Sequence, residues 1–127
     1  MLPSPELQYN ERPLANEAKG NQLFPVFIKL NQLRTLLVGG GKVGIEKLNA
    51  ILNNSQLANV TVIAETIAPE IEQLKKTYPH LKLKQRSFEA ADLSAIDIVF
   101  VATNDPIVNE KIRTEAHHRR LLVNVAD

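Results

Sequence analysis

A chain of 127 residues with 44% hydrophobic content has room for one compact domain with its own core and too little for two ordinary ones. Fifteen Lys and Arg against fourteen Asp and Glu leave a formal charge of +1, so general attraction to nucleic acid or to an anionic membrane has no electrostatic basis; an aromatic content of 5% without Trp also argues against a base-stacking platform. The absence of cysteine excludes disulfides, thiolate metal sites and a cysteine nucleophile, and no apolar run reaches the roughly 18 residues of a membrane span.

In chain order, residues 1–22 carry Pro3, Pro5 and Pro13 among Ser, Asn, Glu and Lys, without a sustained period or the apolar core of a signal peptide. They are expected to form a disordered arm before a folded domain over residues 23–127, in a cytoplasmic protein. Residues 23–30 are strongly apolar, and Pro25 within them suits an edge strand or a strand start, so they are expected to lie across the sheet edge. A turn at Asn31-Gln32 precedes a short buried strand over residues 34–38. After three glycines, Val43, Leu48, Ile51 and Leu52 recur near helical spacing until Asn53-Asn54. Residues 60–64 are rich in β-branched side chains and predict a second strand.

Pro69 suits a first helical turn, Ile67, Ile71, Leu74 and Tyr78 form one face, and Pro79 stops the helix. Residues 81–85 alternate as a half-buried edge strand does, and residues 91–97 link them to the fully apolar strand 98–102. Asn104 or Asp105 caps a helix with Pro106 at its first position, running to about Arg119, and residues 121–125 are the last strand. Strands alternating with helices in this order predict an α/β single domain, a Rossmann-like doubly wound parallel sheet with strand order 3-2-1-4-5. Ligands of such a sheet bind beyond the carboxyl ends of the strands where the order reverses. That rule gathers residues 39–43, Glu65-Thr66, Thr103-Asn104 and the segment after Val125 around one crevice.

The spacing Gly39-x-Gly41-x-x-Gly44 between strand and helix is a dinucleotide fingerprint. The first glycine permits a tight turn, the second lets a pyrophosphate approach the backbone, and the third allows helix and strand to pack closely. Lys42 and Val43 open the helix against which the phosphates sit; Lys42 is either a phosphate contact or a solvent-facing cation. Glu65 follows the second strand, about 20 residues on, where the fingerprint expects an acid on the adenosine ribose. A solvated loop carboxylate is the plain alternative, and the Thr66 hydroxyl is another candidate for the ribose. No Arg or Lys adjoins Glu65 in the sequence to receive a 2′-phosphate, which favours NAD over NADP. Thr103 is placed to touch a nicotinamide. His80, His117 and His118 read as ordinary surface or helix-end residues, and no metal site is expected. Asp127, beyond the fifth strand, is either a carboxylate at the substrate side of the crevice or an inert chain end.

Together, Leu23-Phe24-Pro25-Val26-Phe27, the turn Val38 to Val43 with Glu46-Lys47, Val101-Ala102-Thr103-Asn104-Asp105 and Val123-Asn124-Val125-Ala126-Asp127 resemble the precorrin-2 dehydrogenase/sirohydrochlorin ferrochelatase family of siroheme synthesis. The resemblance implies NAD as cofactor, precorrin-2 as substrate, Fe2+ as a further substrate where chelation also occurs, and a homodimer. It implies that Lys42, Val43, Glu65 and Thr66 line the NAD site and that Asp127 matches the aspartate assigned as general base. It differs from many members in having Glu65 for proline and Gly44 for alanine, and this chain stops where such proteins continue into a helical dimerisation region. From another class, a regulatory NAD-sensing module of a transporter shares the length and the glycine turn but has no evident need of the Phe24-Pro25 lead or of Asn124 to Asp127. An oxidoreductase with an unrelated substrate is the blandest reading.

Overall fold

The computed structural model describes Gly20 and residues 22–126, so the expected arm over residues 1–22 lies almost wholly outside the described residues, as does Asp127. Five strands, β1 (Arg34–Val38), β2 (Asn59–Ala64), β3 (Lys82–Gln85), β4 (Ile98–Val101) and β5 (Leu122–Val125), alternate with helices α1 (Lys42–Asn54), α2 (Pro69–Thr77) and α3 (Pro106–His118). They form one sheet in the order β3-β2-β1-β4-β5, the predicted one. Every neighbouring pair is parallel, with Leu37 opposite Val62 on one side and Phe100 on the other.

Side chains alternate across each strand, so β1 serves two cores at once. Leu37 faces α1 and α2 and packs with Leu48, Ile51, Leu52, Val60, Val62 and Ile71. Leu36 and Val38 face the opposite layer with Ile63, Leu93, Val99, Val101, Ile112 and Ala116. The helical spacing read from the sequence therefore buries Leu48, Ile51 and Leu52 of α1 and Ile71 of α2 as expected. A 3-10 turn over Ala90–Leu93 places Leu93 in the second core and carries the chain from β3 to β4.

One expectation is corrected. Residues 22–29 form no regular element and do not cover the sheet edge: Phe24 and Phe27 are fully or almost fully exposed, and only Leu30, in the 3-10 turn Leu30–Gln32, reaches the core. Pro25 cannot donate to a strand ladder, and a run apolar at nearly every position leaves side chains outward however it lies. The sheet edges belong to β3 and β5.

Candidate nucleotide-binding site

At the carboxyl ends of the strands, where β1 lies between β2 and β4, a crevice of about 520 Å³ opens. Its walls are residues 38–43 of the glycine turn, 63–66 at the end of β2, 86–88 after β3 and 102–105 after β4, with Val108 and Lys111 from α3. Gly39, Gly41, Lys42, Val43, Glu65, Thr66 and Thr103 are thereby brought together.

The glycines divide the work as their spacing suggests. Gly39 has φ +129°, and a Cβ on it would lie 2.3 Å from the Ala102 carbonyl oxygen; only glycine turns the chain here. Gly44 lies outside the crevice wall and is a packing residue, since a Cβ on it would come within 2.4 Å of the Gly39 oxygen. Around a Cβ on Gly41 there is nothing within 4 Å, so this face of the backbone is open to a ligand. Gly40, to which the fingerprint gives no task, is also closely packed: a Cβ would meet the Thr66 oxygen at 2.4 Å. Its own carbonyl accepts from Ala68 N at 2.9 Å.

Helices α1 and α3 both begin at the crevice, and they begin differently. Asp105 caps α3 with its own carboxylate, which accepts from the Ile107 and Val108 amides. Among the described residues no side chain caps α1, which starts from Gly41. Its first amides and its positive dipole end are therefore free to meet an anion. Lys42, exposed at the first helical position, adds a cation to the same wall.

At the end of β2, Glu65 and Thr66 are exposed, and Ser87 Oγ donates to Glu65 Oε1 at 2.8 Å. Arg86 lines the same wall, so a cation does stand near Glu65 in space although none adjoins it in sequence. Its guanidinium makes two hydrogen bonds to Asp92, Nη2 to Oδ1 at 2.6 Å and Nη1 to Oδ2 at 2.9 Å. Those bonds hold the Asp92 carboxyl below its ordinary range, against an opposing desolvation, and raise the Arg86 pKa further.

Thr103 is half-buried and its hydroxyl is engaged within the loop, bonded to the Asn109 side chain and accepting from Asp105 N at 3.2 Å. Asn109 Nδ2 in turn donates to the Thr103 carbonyl at 3.1 Å. Thr103 thus borders the crevice as a fixed wall. Of the segment after Val125, Ala126 lies in a neighbouring hollow with Glu46, Lys47, Ala50 and Asn124, joined to the crevice through Val43. Asp127, the expected base, falls outside the described residues. His80 meets the Tyr78 ring edge-on, and His117 and His118 close α3.

Arg86, Ser87 and Phe88 are the wall that the motifs do not name. The signal was present in the strand order, because the carboxyl end of β3 lies on the same side of the sheet as the glycines.

This fold and crevice define a doubly wound dinucleotide-binding domain. A family described as "Putative NAD(P)-binding" matches residues 26–127, and the chain belongs to that family. Among curated relatives, the siroheme synthase of Pseudoalteromonas atlantica is 36% identical over 106 residues, 84% of this chain and 22% of its own length. Siroheme synthase 1 of Cronobacter sakazakii is 38% identical over the same shares. The chain thus spans about a fifth of the length of these relatives. A solved structure of SirC, precorrin-2 dehydrogenase, superposes with a TM-score of 0.70 at 29% identity, covering 82% of this chain and 49% of that one.

Proposed function

We propose that this chain is the NAD-binding part of a precorrin-2 dehydrogenase acting in siroheme synthesis. The observation that carries the reading is the glycine turn, open at Gly41 beside a helix start that no side chain caps, in a chain similar to siroheme synthases and to SirC. The residues fit a dinucleotide. Gly39 and Gly44 shape the turn, Gly41 and the first amides of α1 take the pyrophosphate, and Lys42 and Val43 flank it. Glu65 and Thr66 face the adenosine ribose, where the carboxylate favours a 2′-hydroxyl over a 2′-phosphate. Thr103 borders the nicotinamide end.

When bound, NAD supplies the acceptor for the hydride taken from the tetrapyrrole. Loss of that hydride is coupled to loss of a proton from the same substrate, and Asp127 is assigned to accept it as general base. Iron insertion requires loss of pyrrole protons, which the same carboxylate can take, with Fe2+ as a substrate. The domain extends over residues 23–127. The whole protein is a cytoplasmic homodimer joined through a region beyond this chain; among the described residues no helix is long and apolar enough to cross a membrane.

The test is to extend the protein to the length of SirC, incubate it with precorrin-2 and NAD+, and follow the absorbance of sirohydrochlorin. Conversion that is lost in Asp127→Ala supports the reading. An extended protein that binds NAD+ but neither binds nor converts the tetrapyrrole overturns it in favour of a nucleotide-sensing module.

A further inference from the structure

We propose that Asp92 is a positioning residue for cofactor choice: by holding the Arg86 guanidinium, it makes the crevice accept a dinucleotide with a free 2′-hydroxyl and reject the 2′-phosphorylated form. The proposal rests on the crevice being a dinucleotide site and goes beyond that reading by naming what sets the preference.

Arg86 and Ser87 are consecutive at the end of β3, and Ser87 is hydrogen-bonded to Glu65 at the end of β2. The cation and the acid therefore share the wall where the adenosine ribose is expected. An unengaged guanidinium there is well suited to a phosphate monoester, because its planar fork binds two phosphate oxygens at once. In this structure the end of the fork formed by the two terminal nitrogens is already turned onto Asp92. Both terminal nitrogens bond Asp92, and Nη1 also donates to the Ser87 carbonyl at 3.1 Å.

Asp92 is a rigid holder. Its side chain is only 7% exposed, and it also accepts from Glu89 N at 2.8 Å within the capping box of the 3-10 turn. The next residue, Leu93, is anchored in the core. Arg86 is paired with Asp92, and Glu65 on the same wall makes no ion pair among the described residues. A ribose diol can donate to that carboxylate, whereas a phosphate is repelled by it. Releasing Arg86 turns the same wall into a phosphate site.

The experiment measures NAD+ and NADP+ binding by titration calorimetry in the wild type, in Asp92→Asn, and in Asp92→Asn combined with Arg86→Gln. Asparagine retains an oxygen for Glu89 N and removes the charge that holds Arg86. The affinity for NADP+ is expected to rise on the order of tenfold in Asp92→Asn, the size of one new charge-assisted contact, while that for NAD+ stays within about threefold. The double variant returns the ratio of the two affinities to the wild-type value, which a purely structural role for the ion pair would not do. Asp92→Ser, with a smaller acceptor in the turn, serves if the asparagine variant does not fold. An unchanged ratio in a folded, NAD+-binding variant overturns the proposal alone, and so does a gain that persists without Arg86. A wild-type protein that binds neither dinucleotide overturns the cofactor reading itself, and this inference with it.

Discussion

The Ser87 hydroxyl donates to Glu65 Oε1 at 2.8 Å, tying the loop after β3 to the end of β2 across the mouth of the crevice. One carboxylate oxygen is thereby occupied by the protein and the carboxylate plane is set, leaving Oε2 for a ligand hydroxyl.

From this pair follows a graded loss of cofactor binding. Glu65→Gln removes a charged acceptor and is expected to weaken NAD+ binding by about 1.5–3 kcal/mol, whereas Ser87→Ala removes only the orienting bond and costs about 0.5–1.5 kcal/mol. Both side chains are exposed, so the thermal midpoint should hardly move. Calorimetric titration with NAD+ beside a melting curve checks the two halves of the expectation. Equal binding by Glu65→Gln and the wild type removes Glu65 from the ribose site.

The glycine turn separates stability from binding. Gly39→Ala forces a side chain into φ +129° and against the Ala102 carbonyl, at an expected cost of about 3 kcal/mol or more. Gly41→Ala meets nothing among the described residues and costs about 1 kcal/mol or less as a change of N-cap, yet it places a methyl where the pyrophosphate is proposed to approach. Urea unfolding should thus single out the first variant and NAD+ titration the second.

Asp105, not Asn104, carries the cap of α3. Asp105→Ala is expected to cost about 1 kcal/mol with an unchanged dependence on urea concentration, and Asn104→Ala to stay within about 0.5 kcal/mol of the wild type. The Thr103–Asn109 bonds do not involve the Asp105 carboxylate, so the loop bordering the crevice should persist in both. A comparable loss in Asn104→Ala would contradict the assignment.

Acid should weaken the join between β1 and the start of β4 before it reaches the core. Asp97 accepts from Arg34 N at 2.7 Å and from its guanidinium at 2.9 and 3.0 Å. These bonds hold its carboxyl down at about 2, against about 3.9 in an unfolded chain. A depressed folded pKa means that the contribution is fully present above about pH 4 and fades as the pH falls towards 2. Asp97→Asn lacks this titration, so its stability should decline less steeply than that of the wild type between pH 4 and 2 in denaturant melts.

How far the sequence could be read depended on whether a feature is local. Leu36 to Val38, Val60 to Ile63 and Val99 to Val101 announce buried parallel strands by their own composition, and Pro69 and Pro106 mark helix starts from the inside. The close packing of Gly44 on Gly39 is likewise set within a turn a few residues long. Gly40 was opaque, because its neighbours Thr66 and Ile67 come from another strand end. Arg86 and Ser87 were opaque for the same reason: their partners Asp92 and Glu65 are known only once the 3-10 turn forms and β3 takes its register beside β2. For the apolar lead, hydrophobicity alone suggested burial, while the missing donor of Pro25 and the absence of a partner strand left Phe24 and Phe27 in solvent.

Three glycine contacts bear on the order in which this protein assembles. Gly39 abuts Ala102 after β4, Gly40 abuts Thr66 after β2, and Gly44 abuts Gly39 itself, so the turn reaches its final shape only when β1 has acquired both neighbours and α1 has docked. The first two of these contacts join distant parts of the chain, the kind of contact that forms slowly. The pocket is therefore complete only when β1 is paired on both sides. A dinucleotide, binding only the finished sheet, draws the folding equilibrium towards completion by mass action, so supply of the cofactor during refolding should raise the yield of native protein.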